Sequence, residues 1–117
     1  MKILSPHIHG IIDYVSVVGL ALAPTILGLV GAAAFLAYAL AGIHLLMTVL
    51  TNFPLGVIKV VPLKLHGFVE IVVAIALLAA PWALMSVVDL GMNGRYFFTA
   101  FGAVLLAVWA TTRYETA

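Results

Sequence analysis

The sequence predicts an all-α, polytopic membrane protein with four transmembrane helices arranged as two tandem helical hairpins. Three observations predict it. Of the 117 residues, 66% are hydrophobic and only 8% are charged, against roughly a quarter charged in an ordinary soluble domain. The apolar residues fall in four runs close to the about 20 residues that a bilayer-spanning helix needs. The first run then returns, in register, as the third. Backbone groups cannot stay unpaired in hydrocarbon, so each open span must be a helix, and residues 1–117 read as a single membrane domain.

The first span covers about 8–30. Ser5 and Pro6 precede it, a serine suited to capping and a proline suited to the first helical position. The second covers 32–51, separated from the first only by a turn that Gly28 and Gly31 bracket. Residues 52–64 carry Pro54, Gly56 and Pro62, with Lys59 among apolar neighbours, and read as a segment lying at the membrane interface. The third span covers 65 to about 88 and the fourth 96–112, with Gly91 and Asn93-Gly94 between them as a turn signal. Pro24 and Pro81 fall late in spans one and three, where each would kink or end its helix. Trp82 and Tyr96 read as interfacial anchors on one face, Trp109 and Tyr114 on the other. Gly10, Gly19, Gly42, Gly67 and Gly102 read as helix-packing positions.

Four cations, Lys2, Lys59, Lys64 and Arg113, fall on the face holding the termini, and Arg95 alone on the opposite face. The positive-inside rule then places both termini in the cytoplasm. A cleavable signal peptide is a poor reading of the N-terminus, because His9 and Asp13 interrupt what would be its apolar stretch. With no cysteine, disulfides, thiolate metal sites and cysteine nucleophiles are excluded. A net charge of +1 without a basic stripe gives no basis for nucleic-acid binding. No nucleophile–base pair, phosphate loop or dinucleotide fingerprint is present.

The stretch "HGIIDYVSVVGLALAPTIL" from His9 aligns without gaps to "HGFVEIVVAIALLAAPWAL" from His66, with seven of nineteen positions identical. The His-Gly pair recurs, Asp13 is matched by Glu70, and a proline follows each histidine by fifteen residues. Spans two and four share a weaker echo, Gly42/Thr51 against Gly102/Thr111, with a three-residue shift. The chain thus reads as two copies of a hairpin, about 5–53 and 62–117. An even number of spans per copy gives both the same orientation, about an axis along the membrane normal.

The ending Ala80-Pro81-Trp82 resembles the SPW-repeat group of small bacterial membrane proteins, in which a two-helix unit carries a Ser-Pro-Trp signature. Here alanine stands at the serine position in both copies, and Thr25 at the tryptophan of the first. The resemblance implies a small polytopic protein of the bacterial inner membrane, and it assigns no chemistry.

Residues four apart share a helix face, so His9 and Asp13 project together, as do His66 and Glu70. Span two runs back toward the same side, and His44 lies eight residues before its end, roughly 12 Å into the membrane. Five ionisable side chains, His9, Asp13, His44, His66 and Glu70, therefore reach one layer near the cytoplasmic face. A carboxylate at mid-membrane costs about 2.5–3.5 kcal/mol on insertion scales and must find partners inside the bundle. Three imidazoles and two carboxylates suit a transition metal ion, zinc, iron, manganese or copper, which would activate water or handle electrons if the protein is an enzyme. Three other readings stand beside it. Two histidines would ligate a haem; acids and histidines would form a proton or solute path, in a homo-oligomer or larger complex; or the cluster would only fix helix packing in an accessory subunit. His7 is predicted to stay at the headgroup level, and Thr48 to bond its own helix backbone.

Overall fold

Alternating apolar runs and short glycine- or proline-marked breaks give four helices: α1 (Pro6–Leu27), α2 (Gly31–Leu50), α3 (Leu63–Ala83) and α4 (Gly91–Thr111). The computed structural model describes residues 2–114; positions 115–117 of the expected second repeat lie outside the described residues. All four helices are long and apolar enough to cross a membrane. Their 20–22 residues rise about 30–33 Å, matching the roughly 30 Å of a hydrocarbon core. The surface fits that solvent: Phe35, Ile26 and Val15 are 75%, 71% and 64% exposed, while the interior is lined by Ala33, Ala37, Ala74 and Phe98.

Each helix end has a physical cause. Ser5 Oγ accepts the Ile8 amide at 3.2 Å, and Gly28, at φ 67°, closes α1 in the left-handed conformation that a side chain would resist. α4 begins five residues earlier than the sequence suggests. Asp89 Oδ1 accepts the Gly91 amide at 2.9 Å and Arg95 Nη1 at 3.1 Å, so Asn93-Gly94 falls in the first helical turn rather than in the loop. α3 correspondingly ends at Ala83, and Pro24 and Pro81 sit inside their helices, close to the ends.

The segment after α2 folds back to satisfy that helix's last carbonyls. Val57 and Ile58 donate to Val49 O, and Val60 and Val61 to Leu50 O, at 2.8–3.0 Å. The tight return depends on Gly56, where a Cβ would lie 1.8 Å from Thr51 O. Gly56→Ala is therefore expected to destabilise the protein by about 3 kcal/mol, the upper end of ordinary point substitutions. Unfolding of the variant in micelles checks this. At the same end of the bundle, Leu4 pairs with the close of α4 through Leu4 N to Thr111 O at 2.8 Å and Arg113 N to Leu4 O at 3.0 Å.

α1 packs along α2, and α3 along α4. Six buried positions of α1 (Pro6, His9, Gly10, Asp13, Leu20, Pro24) lie 57 residues before buried positions of α3. In α2, buried Ala33, Ala37 and Ala41 lie 61 residues before Gly94, Phe98 and Gly102 of α4. The difference of four is the difference between the loops, three residues at 28–30 and seven at 84–90. In burial, Ala41 rather than Gly42 matches Gly102, one residue from the register the sequence suggests. Gly42 and Gly19 face outward with nothing near them, so they are not packing positions within the chain; Gly10, Gly67 and Gly102 are.

Candidate metal centre

The His-x-x-x-acid spacing on α1 and α3 aims both pairs at the interior, on the same level of the bundle. His9, Asp13, His66 and Glu70 are 0%, 1%, 2% and 5% exposed. One ligand atom from each lies within 4.8 Å of all the others, a group that could hold a metal ion. His9 Nε2 is 3.3 Å from Asp13 Oδ1 and 3.4 Å from Glu70 Oε2, and His66 Nε2 is 3.1 Å from Asp13 Oδ2. His44 stands beside this group. Its Nε2 lies 3.4 Å from Asp13 Oδ1, and its side chain is 15% exposed. Asp13 thus faces all three imidazoles. The ion pairs of these carboxylates are with the histidines; the Arg95–Asp89 pair lies at the far end of the bundle.

Two threonines determine how the histidines present themselves. Thr112 Oγ1 donates its single proton to Val108 O at 2.6 Å and lies 2.8 Å from His9 Nδ1. Thr51 Oγ1 donates to Met47 O at 2.6 Å and lies 2.7 Å from His66 Nδ1. A hydroxyl whose hydrogen is committed can only accept from a second neighbour. Both histidines must therefore carry hydrogen on Nδ1, and a neutral ring turns its Nε2 lone pair toward the carboxylates. The arrangement crosses the hairpins: the threonine closing the second serves the histidine of the first, and the reverse. Both threonines are fully buried.

The carboxylates are held differently. Tyr114 Oη donates to Glu70 Oε1 at 2.5 Å, leaving Oε2 directed at the histidines. Burial, and then the charge of Glu70, push the Tyr114 phenol well above its ordinary pKa, so it remains a donor. Gly67 makes room, since a Cβ there would come within 2.8 Å of the Tyr114 ring. The counterpart of Tyr114 is Phe53, 2% exposed and two residues past Thr51 as Tyr114 is two past Thr112. Phe53 offers no hydroxyl, and it is His44 that stands beside Asp13. In α4 the position corresponding to His44 is Leu105.

All five residues singled out in the sequence meet in this layer, four as a compact donor group and His44 at its edge. His7 is exposed, and Thr48 bonds its own backbone at His44 O, 2.7 Å away. Tyr114 departs from expectation: it is no interfacial anchor but turns inward to Glu70. Thr112, rather than Thr111, is the counterpart of Thr51. The signal that would have found these residues is the pairing of Thr51-Asn52-Phe53 with Thr112-Arg113-Tyr114. Among known proteins, no family model, curated protein or solved structure matches the chain.

Proposed function

We propose that the protein binds a transition metal ion within the membrane, with His9, Asp13, His66 and Glu70 as ligands and His44 next to them. The observation that carries this reading is the state of the buried atoms. His9 Nε2, Asp13 Oδ2, His44 Nε2 and Glu70 Oε2 make no aligned hydrogen bond, although each lies 3.1–3.4 Å from another donor atom of the cluster. Buried polar atoms that approach closely without aligning on one another suit ligands aimed at a shared centre. Four donors around zinc at about 2.0–2.1 Å stand about 3.3–3.4 Å apart, close to the 3.1–3.4 Å of three pairs here, in a group that lies within 4.8 Å throughout. The charge fits as well, since a dication with two carboxylates and two neutral imidazoles sums to zero in a medium that penalises net charge. Zinc, iron, manganese and copper all accept this nitrogen and oxygen set.

A metal ion suits the site better than haem. The His9 and His66 rings meet edge to face with centroids 5.4 Å apart, which leaves no slot for a porphyrin plane between them. Asp13 lies between His44 and both other imidazoles. The second reading, a cluster that only fixes helix packing, draws on the same short distances taken as ion pairs. The parallel burial of the two hairpins supports their origin as tandem copies. The cation bias supports a site near the cytoplasmic face with both termini on that side.

Protein purified without a histidine tag is expected to retain about one equivalent of a transition metal, because a buried site couples metal binding to folding. His66→Ala should fall below about 0.1 equivalents and His7→Ala should keep the full amount. Elemental analysis of the three proteins checks this. A metal-free wild type, or loss on replacing the exposed His7, would rule the assignment out.

A further inference from the structure

The donor group does not lie sealed in the bundle. A cavity of about 50 Å³ adjoins it, and its polar wall consists of His44, His66 and Glu70. The remaining wall is apolar, with Leu40 and Met47 from α2, Val73 from α3 and Phe101 and Leu105 from α4. Its outer edge includes Ile43, 60% exposed on the membrane-facing surface. Two of its polar residues end in buried atoms without a hydrogen-bond partner, Glu70 Oε2 and His44 Nε2.

We propose that this cavity admits an uncharged diatomic molecule, of the class of nitric oxide and dioxygen, from the lipid phase to the metal. The proposal rests on the metal-binding reading. Size limits the occupant. About 10–15 Å³ holds one water, whereas drug-sized ligands need about 300–1,000 Å³, so the space suits a molecule of at most about three to five non-hydrogen atoms. Chemistry limits it further. An ion would have to shed its hydration along an apolar wall, while a small neutral gas dissolves in hydrocarbon and reaches Ile43 directly. The polar end supplies what such a molecule needs on arrival: a metal bordered by Glu70 and, in the same wall, His44, whose Nε2 has no hydrogen-bond partner. Binding of this kind forms one coordinate bond and consumes no electron or proton.

The asymmetry of the two hairpins fits this use. The first supplies His44 to the cavity wall where the second supplies Leu105, so one side of a near-symmetric site is polar and the other greasy. A purely structural ion would have no need for that difference.

The test uses whole protein in detergent micelles, loaded anaerobically with iron(II), with nitric oxide as the probe. Iron content is measured before gas is added. Wild type is expected to form one nitrosyl adduct per iron, read by electron paramagnetic resonance. Ile43→Trp at the mouth and Val73→Phe within the wall should keep their iron and take up nitric oxide about tenfold more slowly, because a close-packed interior leaves no alternative route. Iron-loaded wild type that forms no adduct, or wild-type uptake rates in both variants, would overturn the cavity proposal while leaving the metal site standing. Failure to hold iron, zinc, manganese or copper at all would overturn both.

Discussion

Asp13→Asn is expected to abolish metal retention, lowering affinity by more than the about 10–100-fold typical of outer-shell changes, while the variant is as stable as metal-free wild type. Asp13 is the one residue within 3.4 Å of all three imidazoles, so its charge and oxygens are central to any ion held there. Asparagine preserves the shape. With Thr51 and Thr112 accepting from Nδ1, neutral His66 and His9 present Nε2 lone pairs, and a carboxamide N–H₂ would be a suitable partner for them. A cluster of charged ion pairs behaves oppositely. Removing one carboxylate would strand a buried imidazolium, a loss of about 3–5 kcal/mol. Metal titration together with unfolding in micelles separates the two: lost metal with the stability of metal-free wild type supports the metal centre, and collapsed stability in a protein that never held metal supports the ion-pair cluster.

Thr51→Val and Thr112→Val are expected to weaken metal binding by about 10–100-fold each, as removal of an outer-shell partner does elsewhere. The two substitutions act on different histidines, His66 and His9. Valine fills the same space but leaves a buried Nδ1–H unpaired, at a cost of about 1–3 kcal/mol, and frees the ring to place hydrogen on Nε2. Serine retains the hydroxyl, so Thr51→Ser and Thr112→Ser should recover most of the affinity. Competition with a chromophoric chelator reads both effects. Equal affinity in the valine and serine variants would mean that the threonines pack against the histidines without orienting them. The double valine variant should show less than the product of the single effects, since both histidines serve one ion.

Much of this arrangement is legible in the chain because membrane helices leave so little to ambiguity. Hydropathy and length define four spans, and a fixed 3.6-residue turn makes His9/Asp13 and His66/Glu70 neighbours on their faces. What the helical period cannot carry is contact between helix ends. Thr112 and Tyr114 lie just past α4, where an aromatic residue near arginine reads as a membrane anchor, and only the return of the chain beneath His9 and Glu70 reveals their use. The one-residue error in the α2/α4 register has a similar cause. Gly42 and Gly102 look equivalent, but the longer 84–90 loop shifts α4 so that Ala41 occupies the buried position and Gly42 faces outward. The start of α4 was obscured by Asn93-Gly94, a turn signal that Asp89 overrides by capping the helix at Gly91.

The central claim is that a metal ion sits among His9, Asp13, His66 and Glu70, and X-ray absorption at the edge of the retained metal tests it most directly. The expected spectrum has a shell of nitrogen and oxygen at about 2.0–2.1 Å, without sulfur, if the metal is zinc, and the outer-shell scattering of two imidazoles. A spectrum of oxygen ligands alone, without imidazole scattering, would contradict it.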